Sequence, residues 1–121
     1  MYLLELVENF SAAHALRNYP GVCARIHGHN WRLKVGLKCD TADENGMTVD
    51  YAVLRKVLTD LIAEFDHNLF NDHPYFSKVN PTSEKICEYF YAELEKKFPV
   101  SVKMNFVQIW ETENFSVVYK P

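Results

Sequence analysis

The stretch that decides the fold is His29-Asn30-Trp31-Arg32-Leu33-Lys34-Val35-Gly36-Leu37-Lys38-Cys39. Trp31, Leu33, Val35 and Leu37 fall on one face and Asn30, Arg32, Lys34, Gly36 and Lys38 on the other, the period of a half-buried β-strand. Upstream, Met1 to Phe10 is short and apolar and gives way to the polar Ser11, which predicts a first strand. Downstream, the turn formers of Asp40 to Gly46 predict a hairpin, with Met47 to Val49 as a short returning strand. At Asp50 the period changes. Val53, Leu54, Val57, Leu58, Leu61, Ile62 and Phe65 recur at three and four, and Asp50 stands where a carboxylate caps the exposed amides of a first turn, so a helix is expected here. Asp66 to Lys78 reads as a loop with a turn or two of helix. A second helix follows Pro81, capped by Asn80 or Thr82, with Ile86, Phe90, Leu94 and Phe98 as its apolar stripe and Pro99 as its end. Val100 to Phe106 alternates again, and Phe115 to Tyr119 supplies a last strand. That order of elements predicts an α+β fold, an antiparallel sheet with both helices on one face.

The 121 residues suit one domain, 1–121, and 48% hydrophobic with 14% aromatic residues is material for a packed core rather than a disordered chain. A net charge of -3 supplies no basic footprint, which argues against nucleic acid or an anionic membrane as partner. No run approaches the ~18 apolar residues of a membrane helix, and Met1 to Phe10 lacks a basic cluster, so a cytoplasmic protein is expected. Cys23, Cys39 and Cys87 are odd in number and far apart, which fits free thiols better than a disulfide framework.

The chemistry lies elsewhere. His27-Gly28-His29 leads into a strand, where residues two apart share a face, so both imidazoles can converge on one ion. His14 follows the first strand and reaches the same place if the first two strands pair. Three neutral imidazoles leave a fourth position open on zinc, the arrangement of a catalytic site. An H-x-H pair is also a common surface accident. Cys23, four residues before His27, is near enough to act above such an ion as base or nucleophile, whereas Cys39 and Cys87 read as small core residues. Asp66-His67 couples a carboxylate to an imidazole, a recurrent proton-transfer device, but adjacent side chains point apart unless the backbone is irregular. Glu111, after Trp110, can accept two hydrogen bonds from a guanidine-like ring edge or can be a solvated strand end. Thr82-Ser83-Glu84 reads most simply as a helix start, and His73 as an exposed loop residue.

Five blocks in order resemble one family: Phe10-Ser11-Ala12-Ala13-His14, Cys23-Ala24-Arg25-Ile26-His27-Gly28-His29-Asn30, Asp66-His67-Asn68, Pro81-Thr82-Ser83-Glu84 and Trp110-Glu111-Thr112. The chain is similar to the 6-pyruvoyltetrahydropterin synthases and their bacterial relatives, the 6-carboxytetrahydropterin synthases. The resemblance implies the tunnelling fold (T-fold), a four-stranded antiparallel sheet carrying two helices, whose copies commonly assemble as a hexamer of two trimers with sites between subunits. It implies Zn2+ on His14, His27 and His29, Cys23 as general base, Asp66 and His67 as its relay, and Glu111 as anchor of a pterin ring. Thr82 and Ser83 match positions that touch that ring. The implied substrate is 7,8-dihydroneopterin triphosphate, and Arg17, Arg25, Lys34 and Lys103 are candidates for its charge. The compact block from Cys23 to His27, in a short chain, leans toward the 6-carboxy product, made with loss of acetaldehyde and triphosphate on the way to queuosine and other 7-deazapurines. The alternatives are the 6-pyruvoyl product and a non-catalytic, zinc-stabilised pterin-binding scaffold.

Overall fold

The computed structural model describes all residues from Met1 to Pro121. Strand β1 (Tyr2–His14) pairs antiparallel with β2 (His27–Cys39), followed by helix α1 (Tyr51–Ile62), helix α2 (Ser83–Lys97), β3 (Lys103–Thr112) and β4 (Phe115–Tyr119). The sheet order is β1-β2-β3-β4, each neighbour antiparallel. No helix is long and apolar enough to cross a membrane.

The alternation in β2 does what its period requires. Trp31, Leu33, Val35 and Leu37 are completely buried, and they meet Leu54, Leu58 and Leu61 of α1 and Ile86, Phe90 and Leu94 of α2 in one core. Asp50 caps α1 through its side chain, which accepts from Ala52 N, and Thr82 caps α2 by accepting from Lys85 N. An aromatic cluster of Phe10, Phe65, Phe70, Phe76 and Phe90 fills the space below the loop between the helices, so that loop is anchored rather than loose.

Four expectations need correction. Met47–Val49 is not a strand: the Asp43 carboxylate accepts from Asn45 N and Met47 N while Met47 O accepts from Asp43 N, so the segment closes on itself as a turn with no strand beside it. The strand expected from Val100 begins at Lys103, because Val102 N is drawn back to Pro99 O in a turn after α2. β1 runs past Ser11 to His14, since its register with β2 continues to a His14↔His27 pair. His73 is not exposed: its ring packs on Phe65 and its Nε2 lies 2.8 Å from Glu64 Oε1.

Gly36 is required by its neighbour. It pairs with Phe106 beside an irregularity in the β2–β3 register, and a Cβ there would run into the Phe106 ring. Gly36→Ala is expected to cost about 1–3 kcal/mol, the usual penalty of overpacking. Urea unfolding with an unchanged slope checks this; an unchanged midpoint would show that the ring moves aside freely.

Candidate metal centre and active site

Antiparallel register builds the site. His14 stands directly opposite His27, and Ala12 opposite His29, so His29 lies diagonal to His14 on the same face. Directly opposed residues have Cβ atoms about 4.5–5.5 Å apart, and diagonal neighbours about 7–8 Å apart, close enough for rings to meet. The ring centroids are 4.6 Å apart for His14 and His27, 5.1 Å for His14 and His29, and 4.9 Å for His27 and His29.

Each ring's orientation has a local cause. His14 Nδ1 lies 2.8 Å from Pro81 O, and His27 Nδ1 lies 2.7 Å from Arg25 O. A carbonyl accepts only, so both Nδ1 atoms carry the hydrogen and both Nε2 lone pairs are free to ligate. Trp31, two residues beyond His29 on the same face, packs its indole 5.1 Å from the His14 ring and 5.2 Å from that of His29 and is pinned by a hydrogen bond from Nε1 to Ala12 O.

The three histidines offer one nitrogen each, all within 4.8 Å of one another, a set that can hold a metal ion. The fit can be tested on the polar atoms themselves. His14 Nε2 and His29 Nε2 are buried and lack any hydrogen-bond partner, a cost that ligation to a cation removes. Burial also holds the His14 imidazole below the ordinary histidine pKa, against the opposing pull of the Pro81 carbonyl and the Glu111 carboxylate. His29 is lowered for the same first reason, again against Glu111. Both rings are therefore kept in the neutral form that binds metal.

Glu111, on the same face of β3, brings a carboxylate to the edge of this cradle. Its Oε1 is 3.4 Å from His29 Nε2 and its Oε2 4.0 Å from His14 Nε2. Ser83, first residue of α2, donates from Oγ to Glu111 Oε2 at 3.1 Å. The hydroxyls of Thr82 and Ser83 are thus both engaged, one capping the helix and one steadying the carboxylate.

The Asp66-His67 pair does have the irregular backbone that adjacency demanded: His67 takes φ 60°, in the left-handed region. One backbone hydrogen bond, from His67 N to Ser11 O, and one to a side chain, from Ser11 N to Asp66 Oδ1, hold it there. The turn brings His67 Nδ1 to 3.0 Å from Asp66 Oδ1, while the imidazole remains 82% exposed. His67 and His29 line the same hollow, together with Ser11, Gly28 and Asn68. Cys23 lies on a single 3-10 turn, Val22–Ala24, whose carbonyl at Cys23 accepts from Leu16 N at 2.9 Å.

Among the cationic candidates, the Arg17 guanidinium is consumed by the carbonyls of Phe76 and Val79, and Lys34 is drawn toward Glu5 at 3.8 Å. Lys103 pairs with Lys38 at the opposite end of β2 from the histidines. Sequence reasoning missed Arg32, which stacks 5.3 Å over Trp110 and lines a slot with His29 and Glu111. The signal was its place opposite Trp110, visible only once the register is known.

The three thiols differ sharply. Burial pushes Cys87 up to about 12, and Cys39 is buried at the end of β2, whereas Cys23 is partly exposed. Iodoacetamide at pH 8 is expected to modify Cys23 alone in the folded chain. Peptide mass mapping that finds Cys87 alkylated at the same rate would contradict this packing.

A four-stranded antiparallel sheet with two helices on one face and a cluster of histidines at the end of its first strand pair is the arrangement that the resemblance to the T-fold pterin synthases implies. The model of the 6-pyruvoyl tetrahydropterin synthase family matches residues 4–121. The 6-carboxy-5,6,7,8-tetrahydropterin synthase of Bacillus subtilis is 31% identical over 121 residues, covering 93% of this chain and 81% of that protein. The human 6-pyruvoyl tetrahydrobiopterin synthase is 38% identical over 96 residues, covering 78% of this chain and 66% of that protein. The structure of Caenorhabditis elegans 6-pyruvoyl tetrahydropterin synthase superposes with a TM-score of 0.88 at 29% identity, covering 99% of this chain and 95% of that one. The chain belongs to the 6-pyruvoyl tetrahydropterin synthase family.

Proposed function

We propose that the chain is a zinc-dependent lyase that converts 7,8-dihydroneopterin triphosphate and one water to 6-carboxy-5,6,7,8-tetrahydropterin, acetaldehyde and triphosphate, in the cytoplasmic route to 7-deazapurines such as queuosine. The observation that carries the metal-dependent reading is the pair of orphaned, buried Nε2 atoms on His14 and His29, grouped with His27 beside the Glu111 carboxylate, and the compact block from Cys23 to His27 favours the 6-carboxy product. His14, His27 and His29 would hold Zn2+. The bound ion supplies Lewis acidity to the hydroxyls of the substrate's side chain.

The residues divide the remaining work. Cys23, as thiolate, removes a side-chain proton; His67, oriented by Asp66, gives or takes a proton at a second atom. Glu111, steadied by Ser83, accepts hydrogen bonds from the aminopyrimidinone edge and so fixes the ring's distance from the ligand cradle. Thr82 sets the start of α2 and thereby the place of Ser83.

Two features support a site completed by neighbouring copies, and the family resemblance implies that those copies form a homohexamer of two trimers. The His67 imidazole is exposed on a single chain although it is fixed against Asp66. The outer edges of the sheet, β1 and β4, carry exposed Leu3, Val7, Phe115 and Val118, and an apolar groove runs between β1 and Tyr51 and Leu54 of α1.

Incubation with the triphosphate substrate tests the product. Acetaldehyde and triphosphate in equal amounts are expected; triphosphate without acetaldehyde would replace the 6-carboxy assignment with the 6-pyruvoyl one.

A further inference from the structure

Beyond His14 the chain leaves the sheet, and its peptide groups must find partners elsewhere. They find them in asparagine side chains. Ala15 N donates to Asn71 Oδ1 at 2.9 Å, and Asn71 Nδ2 returns a hydrogen bond to Ala15 O at 2.8 Å. Two residues on, Arg17 N donates to Asn80 Oδ1 at 2.9 Å and Asn80 Nδ2 donates to Arg17 O at 3.4 Å. Ala13 N is met by Asn68 O at 2.9 Å on the same edge. On the opposite edge Leu16 N donates to Cys23 O at 2.9 Å.

A side-chain amide presents a carbonyl and an N–H side by side, as one residue of a neighbouring strand does. Residues 13, 15 and 17 are therefore bonded along one edge as though the sheet continued, while the edge at Leu16 carries the turn that bears Cys23. Asn80 is also joined to Pro81, whose carbonyl orients the His14 ring, so the two adjacent residues grip the chain at Arg17 and at His14.

We propose that Asn71 and Asn80 are positioning residues: they stand in for a missing strand beyond β1 and so fix the backbone that carries His14 into the ligand set and ties Cys23 to it. The inference rests on reading the three imidazoles as a metal site. Neither asparagine hydrogen-bonds to an imidazole, and each acts through the segment it holds.

The test is zinc affinity of the metal-free full chain, titrated with Zn2+ alone against a chromophoric chelator, for wild type, Asn71→Asp and Asn80→Asp. Each substitution keeps the shape and the acceptor but turns an oxygen toward the carbonyl of Ala15 or Arg17. Affinity is expected to fall about 10–100-fold, the usual cost of losing a group that orients a ligand. Thermal unfolding of the metal-free variants separates this from a bulk effect. While the metal-free chain is almost wholly folded, lower global stability does not change its metal affinity, so a changed affinity reports the local arrangement. The Co2+ forms should show weakened or shifted ligand-field bands.

Variants that stay folded and bind zinc like wild type would overturn the proposal. Wild type that takes up no zinc would instead defeat the reading of the metal site. In wild type itself, the amides of Ala15 and Arg17 should exchange with deuterium at least about tenfold more slowly than those of open loops. Exchange at loop rates would overturn the clamp even if neither variant folds.

Discussion

Cys23→Ala is expected to keep its zinc and its assembly while turnover falls about 10²–10⁴-fold, the contribution of a positioned general base. The side chain is partly exposed on a short 3-10 turn and packs in no part of the core, so its removal should leave the unfolding midpoint nearly where it was. The turn itself is held through the Cys23 carbonyl, which alanine retains. Turnover, zinc content and unfolding measured on one preparation separate the outcomes. Full turnover with intact zinc would remove Cys23 from the mechanism; lost zinc would make it a ligand rather than a base.

His27→Ala is expected to abolish stable zinc binding, with an affinity loss beyond the about 10–100-fold that outer groups contribute, because two imidazoles and water replace three imidazoles. His27 suits this experiment better than His14. It lies at the start of β2, is only partly buried, and its ring is tied to a carbonyl two residues away in its own chain. His14 is almost completely buried and hydrogen-bonded to Pro81, so its replacement would disturb the loop as well. Atomic absorption on the purified variant should find less than about a tenth of the wild-type zinc. Equal zinc would mean that His27 is no ligand, and the site would have to be redrawn around His14, His29 and Glu111.

What was legible in the sequence follows the reach of local physics. The strict alternation of β2 and the three-four spacing of α1 declare themselves because a residue's burial there depends on period alone. His27 and His29 share a face for the same reason, and the extension of β1 to His14 then follows from pairing. Met47–Val49 misled because alternation over three residues carries almost no information, and the Asp43 carboxylate offered the backbone a closer partner than any strand. The exposed reading of His73 failed because its shelter comes from Phe65 and from Glu64 at the end of the α1 segment, contacts that no local pattern announces.

The loop between the helices was the least legible part of the site. Asn71 looks like an ordinary loop residue and Asn80 like a candidate helix cap, and their hydrogen bonds to Ala15 and Arg17 appear only in the fold. The coupling of Ser83 to Glu111 joins residues 28 positions apart and is likewise invisible until α2 is seated over the end of β3. Asp66 and His67 were recognisable as a pair, but the positive φ that makes them one is held by hydrogen bonds with Ser11.

X-ray absorption at the zinc edge on the reconstituted wild-type chain probes the ligand set without recourse to turnover. The spectrum should fit three imidazole nitrogens at about 2.0–2.1 Å and one light atom from water or substrate. A first shell with sulfur in it, or with fewer than three imidazoles, would contradict the cradle formed by His14, His27 and His29.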